Sequence, residues 1–243
     1  MRGDLTEEQT RERARRIDPL GQSSYRIYAV SPKERMIALD DKLYALMETD
    51  ADAAHRCTFI EWRRMMLALC REEDGLSAQE ALTRFGDLLT RAGVDRQSVV
   101  IGQSDLREAR AQMGASLCEA VYAARAAKLC GKAELAAHEL GLYAYLFPMS
   151  ENPFVCDRCR RVLSAIREYD AQNHTNLEQT ALVYVKENME IAAAAKVLFQ
   201  HPNTVRYRLS KIQRIIGMED DPLFAPMLSL TVSLSRILAE GQV

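Results

Sequence analysis

The chain has 243 residues, 48% of them apolar, and a formal net charge of -2. This length and apolar content suit one large globular domain or two modest ones and exclude disorder as the main state. No apolar run reaches the length of a membrane span before a charge interrupts it, and Met1-Arg2-Gly3-Asp4 lacks the apolar core of a signal peptide, so the expected compartment is the cytoplasm. Six cysteines in such a chain read as buried thiols in a reducing compartment rather than as a disulfide framework.

Residues 1–24 read as a charged N-terminal arm, opened by the capping-box pattern Thr6-x-x-Gln9 and closed by Pro19, Gly21, Ser23 and Ser24. Tyr25–Val30 predicts a strand, and Ser31-Pro32 predicts the start of a helix carrying Met36, Leu39, Leu43 and Leu46 at helical spacing. Cys57–Trp62 and Met65–Cys70 fit an antiparallel hairpin; a helix is the alternative, because the turn around Arg63 lacks Gly or Asn. Ser77-x-x-Glu80 opens a helix with Ala81, Leu82, Phe85, Leu88 and Leu89 on one face, which Gly93 stops. Ser98–Gly102 is a short buried strand, and Ser104 is expected to cap an alanine-rich helix reaching to about Cys130. Glu134–His138 fits an edge strand and Leu140–Phe147 a short helix. The order predicts an α+β sheet domain over 25–149. Pro148 and Pro153 then mark a composition shift, and every later apolar segment has helical spacing, so 150–243 reads as an all-α domain.

Within that second domain Thr175-x-x-Glu178 forms a further capping box ahead of Leu177, Ala181, Leu182 and Val185, and Asn188 is placed to cap the next helix. That helix, Glu190 to about Leu198, contains Ala192–Ala195, small residues that let another helix approach at a steep angle. Phe199-Gln200-His201 is the turn. His201 is the expected N-cap and Pro202 suits the first helical position, where no amide hydrogen is needed. Advancing by 100° per residue from Val205 puts Leu209, Ile212 and Ile216 on one buried stripe. The helix-turn-helix thus spans about 189–216.

The opposite face carries Asn203, Arg206, Tyr207, Ser210 and Arg214, and residues 201–217 hold Arg206, Arg208, Lys211 and Arg214 with no acidic residue. Arg can bridge guanine acceptors, Asn can pair with adenine, and hydroxyls can bond phosphates. Residues near the helix start reach deepest into a groove, so Asn203, Arg206, Tyr207 and Ser210 are assigned to bases or nearby phosphates, with Lys211 and Arg214 on the backbone. Thr204 and Arg208 lie closer to the buried stripe; Arg208 either touches DNA or pairs internally with Glu178 or Glu187.

These residues, with Leu177-x-x-Thr180, Lys196-x-Leu198 and His201-x-Asn203-Thr204-x-Arg206-Tyr207-Arg208-Leu209, resemble the C-terminal helix-turn-helix of the PucR/CdaR family of bacterial transcription regulators. Val100-Ile101-Gly102, Leu140-Gly141-Leu142 and Tyr169-Asp170 resemble the same family. The resemblance implies double-stranded DNA as partner, with His201 to Arg214 as the contact region, and a degenerate domain related to diguanylate cyclases (GGDEF-like) ahead of it. Pro202 stands where the family commonly carries an arginine.

Cyclase chemistry needs a Gly-Gly turn followed by acidic residues; here the hairpin holds Glu61-Trp62-Arg63-Arg64, so neither the open backbone nor paired carboxylates for magnesium are supplied. No nucleophile motif appears, and no enzymatic activity, cofactor or metal is expected. Cys156-x-x-Cys159 has a spacing compatible with zinc or redox chemistry, yet on a helix both fall on one apolar stripe with Leu163 and Ile166. The last helix, from Asp221-Pro222, carries Leu223, Met227, Leu230, Leu234 and Ile237, which can form a dimer seam or pack back on the helix-turn-helix. The leading expectation is a homodimeric DNA-binding regulator with an α+β domain for dimerisation or signal relay and an unknown small-molecule effector. The alternatives are an interaction or effector-binding module without DNA binding, and a sensor using Cys156 and Cys159.

Overall fold

The computed structural model describes residues 24–33, 39–72, 75–107 and 112–240. The expected arm, apart from Ser24, and Met36 lie outside them. The chain divides into two compact units, one ending at Ala144 and the other beginning at Tyr145. None of its described helices is long and apolar enough to cross a membrane.

The first unit is built on a five-stranded sheet of order β2-β3-β1-β4-β5, formed by β1 (Ser24–Pro32), β2 (Cys57–Trp62), β3 (Met65–Glu72), β4 (Val99–Gln103) and β5 (Glu134–Ala136). All neighbours are antiparallel except β4 and β5. The helices are α1 (Leu39–Thr49), α2 (Ala51–Arg56), α3 (Ala78–Arg91) and α4 (Met113–Leu129). The unit is therefore α+β, as the order of apolar patterns predicts.

Alternation along the strands sorts side chains to two faces. Tyr28, Val30, Met66, Ala68 and Ile101 join Leu43 of α1, Ala53 of α2 and Leu82, Phe85 and Leu89 of α3 in one core. Gly102 points the other way, onto α4: a Cβ there would lie 2.1 Å from the Ala120 carbonyl oxygen and 2.2 Å from the Ala124 amide nitrogen. Glycine at 102 and the buried alanines Ala120, Ala123, Ala124 and Ala127 together let α4 seat directly on the sheet.

The hairpin forms without a turn glycine because Arg63 itself takes the left-handed region, φ 55°, while its guanidinium stacks 4.5 Å from the Trp62 ring centroid. The capping box at α3 is complete: Ser77 Oγ accepts from the Glu80 amide and Glu80 accepts from the Ser77 amide.

Four expectations are corrected. First, β1 continues through Ser31 and Pro32, so no helix begins there; Ser31 pairs with Val100 and Pro32 with Val99 after pairing with β3 has ended at Val30. Proline is tolerated at such a strand end. Second, Ser104 caps no helix: its buried hydroxyl accepts from the Ile27 amide at 2.8 Å, tying the end of β4 to β1. Third, Cys57 and Cys70 are not thiols but a disulfide, formed between directly paired residues whose Cα atoms are 4.1 Å apart. Fourth, Cys118 and Cys130 are exposed, so burial applies only to the pair Cys156 and Cys159 among the free cysteines. At the end of the unit β5 stops at Ala136, and the short helix α5 (Tyr143–Glu151) starts three residues later than Leu140.

Candidate nucleic-acid interface

The second unit is helical: α6 (Pro153–Asn173), α7 (Leu177–Lys186), α8 (Ile191–Val197), α9 (Pro202–Ile216) and α10 (Phe224–Glu240). Its geometry starts from Asp170, in the last turn of α6. One oxygen of this carboxylate accepts from the Leu177 amide at 2.8 Å and the Thr175 hydroxyl at 2.5 Å, the other from the Glu178 amide at 2.9 Å. The first amides of a helix have no partner within it, and its N-terminus favours negative charge. Asp170 meets both needs from the preceding helix. The expected capping box at Thr175 is thus corrected: Asn176 holds the N-cap position without a side-chain bond, and Thr175 donates to Asp170 instead. Burial opposes ionisation of Asp170, but the Glu178 amide, the Thr175 hydroxyl, the Leu177 amide and the Arg208 charge outweigh it and hold the carboxyl below its ordinary value.

Asn188 does not cap α8 either. It and Met189 turn the chain with φ of 53° and 63°, and Glu190 occupies the N-cap position without a side-chain bond. Ala194 and Ala195 are buried where α8 packs on α9. The turn into α9 places Phe199 at φ 53° and 93% exposed. His201 is the N-cap, its Nδ1 accepting from the Asn203 amide at 3.2 Å, with Pro202 in the first turn and left-handed Gly217 at the other end.

The faces of α9 follow the periodicity. Val205, Leu209 and Ile212 are buried, and Ile216 is half-buried against the same core as Ile166, Leu177, Ala181 and Leu228. His201, Asn203, Arg206, Tyr207, Ser210 and Arg214 are exposed, Tyr207 by 68%. Arg206 donates to Asn203 Oδ1 at 2.8 Å, one turn back on the same face. Thr204 and Lys211 are half-buried, and the Lys211 ammonium lies 5.0 Å from the Tyr169 ring centroid, so α6 holds its stem.

Arg208 is half-buried and points inward, but not to the expected acids. It donates to the Thr180 hydroxyl at 3.1 Å and faces Asp170, while Glu178 pairs with Arg167 at 2.7 Å. Thr180 is fully buried and its own hydroxyl donates to the Asn176 carbonyl at 2.7 Å. Asp170, Thr180 and Arg208 therefore clamp α6, α7 and α9 together beneath the exposed face. Neither Asp170 nor Thr180 stood out in the sequence as a site residue. Asp170 sits seven and eight residues before the two amides it caps, beyond any local capping pattern; an acid just ahead of a helix start was the available signal.

The last helix packs on α6 and α7, with Phe224 and Leu228 in the helix-turn-helix core, and it begins at Phe224 rather than at Asp221. Leu223, assigned to its apolar seam, is 64% exposed. Cys156 and Cys159 lie buried on the α6 stripe with Leu163 and Ile166; burial, before any other influence, raises the Cys159 thiol above its ordinary value, which disfavours the reactive thiolate.

A short helix with buried alanines, a left-handed turn and a second helix with a buried stripe and a basic outer face define a helix-turn-helix unit. Residues 177–230 match the PucR C-terminal helix-turn-helix domain, so the chain carries the helix-turn-helix of PucR-family regulators. Two relatives from Bacillus subtilis (strain 168) are similar to it. The proline-responsive transcriptional activator PutR is 28% identical over 111 residues, which are 44% of this chain and 27% of that protein. The DNA-binding transcriptional activator AdeR is 31% identical over 81 residues, 33% of this chain and 19% of that protein. The chain thus spans well under a third of the length of either relative. A solved regulator of polyketide synthase expression from Bifidobacterium adolescentis superposes with a TM-score of 0.38 and 18% identity, covering 88% of this chain and 81% of the other.

Proposed function

We propose that the protein is a transcription regulator that binds double-stranded DNA by laying α9 in the major groove. The observation that carries this reading is the outer face of α9: Asn203, Arg206, Tyr207, Ser210 and Arg214 are exposed on one helix with no carboxylate among them, directly after the helix-turn-helix turn. The relatives' names, transcriptional activators both, support it over the segment they share. In this reading Asn203, Arg206, Tyr207 and Ser210 meet base edges or adjacent phosphates, and Lys211 and Arg214 follow the backbone. His201 and Thr204 sit at the helix start, His201 as its cap. Arg208 is a positioning residue, since its guanidinium is committed to Thr180.

The sheet unit is assigned a non-catalytic role in dimerisation or signal relay, as a degenerate cyclase-like domain. Arg63 and Arg64 fill the hairpin turn where that chemistry would need glycines and acids. A homodimer in the cytoplasm would offer two copies of α9 about 34 Å apart, one DNA turn, to an inverted repeat. The test is selection of bound fragments from a genomic pool followed by sequencing: the recovered fragments are expected to share two inverted half-sites. Recovery of fragments at their input frequencies, with no shared sequence, would refute the reading.

A further inference from the structure

The turn from α8 into α9 puts an unexpected residue at its left-handed position. The Phe199 amide donates to the Lys196 carbonyl at 3.2 Å and the Gln200 amide to the Ala195 carbonyl at 2.9 Å, the paired bonds that close a helix when the residue after its cap turns left-handed. The ends of α3, α4 and α9 close with the same two bonds, and each has glycine at that position: Gly93, Gly131 and Gly217. The end of α7 uses Asn188, whose short polar side chain tolerates the region. At α8 the position is held by Phe199, at φ 53°.

In this region a Cβ crowds the following carbonyl oxygen, and a phenyl ring offers no local hydrogen bond in return. Packing does not offset the cost either, because Phe199 is 93% exposed. An exposed phenylalanine is ordinary by itself, and so is a left-handed residue at a helix end. A strained backbone that holds an aromatic ring out in solvent gains nothing within its own unit, and strain of that kind persists where it serves a partner.

The surroundings say which partner. From Ile191 to Met218 the chain holds Lys196, Arg206, Arg208, Lys211 and Arg214 and no carboxylate. Lys196 and His201, on either side of Phe199, are exposed. Because His201 Nδ1 accepts from the Asn203 amide, the neutral ring carries its hydrogen on Nε2 and can donate there. Cations and donors without acids complement phosphate, and the C–H faces of the sugars between phosphates are the apolar surface that a nucleic-acid backbone offers.

We propose that Phe199 is a DNA-contact residue: its ring packs on the deoxyribose of the strand bordering the groove that α9 enters, beside phosphates held by Lys196 and His201. The proposal rests on the reading of α9 as the groove helix and adds the turn to the interface as a backbone contact that carries no sequence information.

The test is fluorescence anisotropy of the full chain with a duplex recovered by genomic selection and with a random-sequence duplex of equal length, alongside denaturant unfolding. Phe199→Ala and Phe199→Gly are each expected to bind both duplexes about tenfold more weakly, as loss of a packed ring implies, and with the parent's salt slope, because no charge is removed. Phe199→Gly should unfold at higher denaturant than Phe199→Ala, since glycine takes the left-handed region freely, yet bind DNA no better. Affinity that recovers in Phe199→Gly along with stability would make the ring a structural residue and overturn the proposal. Unchanged affinity in both variants would overturn it too and assign the ring to a protein partner. A loss confined to the recovered duplex would contradict a backbone contact. The double variant Arg206→Ala, Arg214→Ala, measured beside them, keeps the two readings apart: if it loses binding while the Phe199 variants do not, only this proposal fails, whereas a parent that binds neither duplex removes both.

Discussion

Replacing Arg206 and Arg214 together by alanine is expected to weaken duplex DNA binding by about a hundredfold or more while leaving the fold unchanged. Both side chains are exposed on α9, two turns apart, and neither belongs to the buried stripe. A guanidinium on a guanine edge contributes about 1–3 kcal/mol, and one on a phosphate adds a salt-dependent share, so losing two costs at least tenfold each. Arg160→Ala, an exposed charge on α6, serves as control and should change affinity little. Thermal unfolding of the double variant should match the parent, because surface substitutions of this type stay within about 0.5 kcal/mol. An anisotropy titration showing equal affinity for parent and double variant would remove α9 as the DNA-contacting helix.

Asp170→Ala is expected to lower the stability of the helical unit by about 2–3 kcal/mol, since it strands two buried-end amides and the Thr175 hydroxyl and leaves Arg208 facing no carboxylate. Asp170→Asn keeps one acceptor oxygen and should recover part of the loss. The pH dependence has a definite sign. A carboxyl whose folded value is depressed contributes stability that is fully present above its unfolded value and lost as pH falls through the folded one. Denaturant midpoints of parent and variant should therefore differ most near neutrality and converge below the ordinary carboxylate range. A constant gap down to strongly acid pH would show that Asp170 acts through packing rather than through its charge. DNA affinity should fall too, because Asp170 seats the first amides of α7 and its charge faces Arg208, which ties α9 to α7 through Thr180.

What could be read in advance was whatever has a local period or a local cap. The stripe Val205, Leu209 and Ile212 follows from spacing alone, and His201 and Pro202 set the start of α9 by chemistry confined to one turn. The α3 capping box and the hairpin were legible for the same reason, although Arg63 had to adopt a conformation that favours glycine. The misread features depend on partners distant in sequence. Pro32 stays in a strand because Val99 is there to pair with it, and Ser104 is drawn to the Ile27 amide rather than to a helix. Cys57 meets Cys70 only once the hairpin register places them opposite each other. Arg208 was rightly ambiguous: the helical wheel put it at the edge of the buried stripe, but its acceptor, Thr180, could be found only by packing α7 against α9. In the candidate interface, then, the exposed side chains were visible in the sequence and the clamp beneath them was not.

The most direct test of the DNA-binding account is the affinity of the full chain for a genomic duplex as a function of salt, followed by fluorescence anisotropy. The account predicts binding at low salt whose log affinity falls linearly with log salt, with a slope that becomes shallower by about 1–2 when Arg206 and Arg214 are replaced. No binding at low salt, or a slope identical in parent and variant, would contradict it.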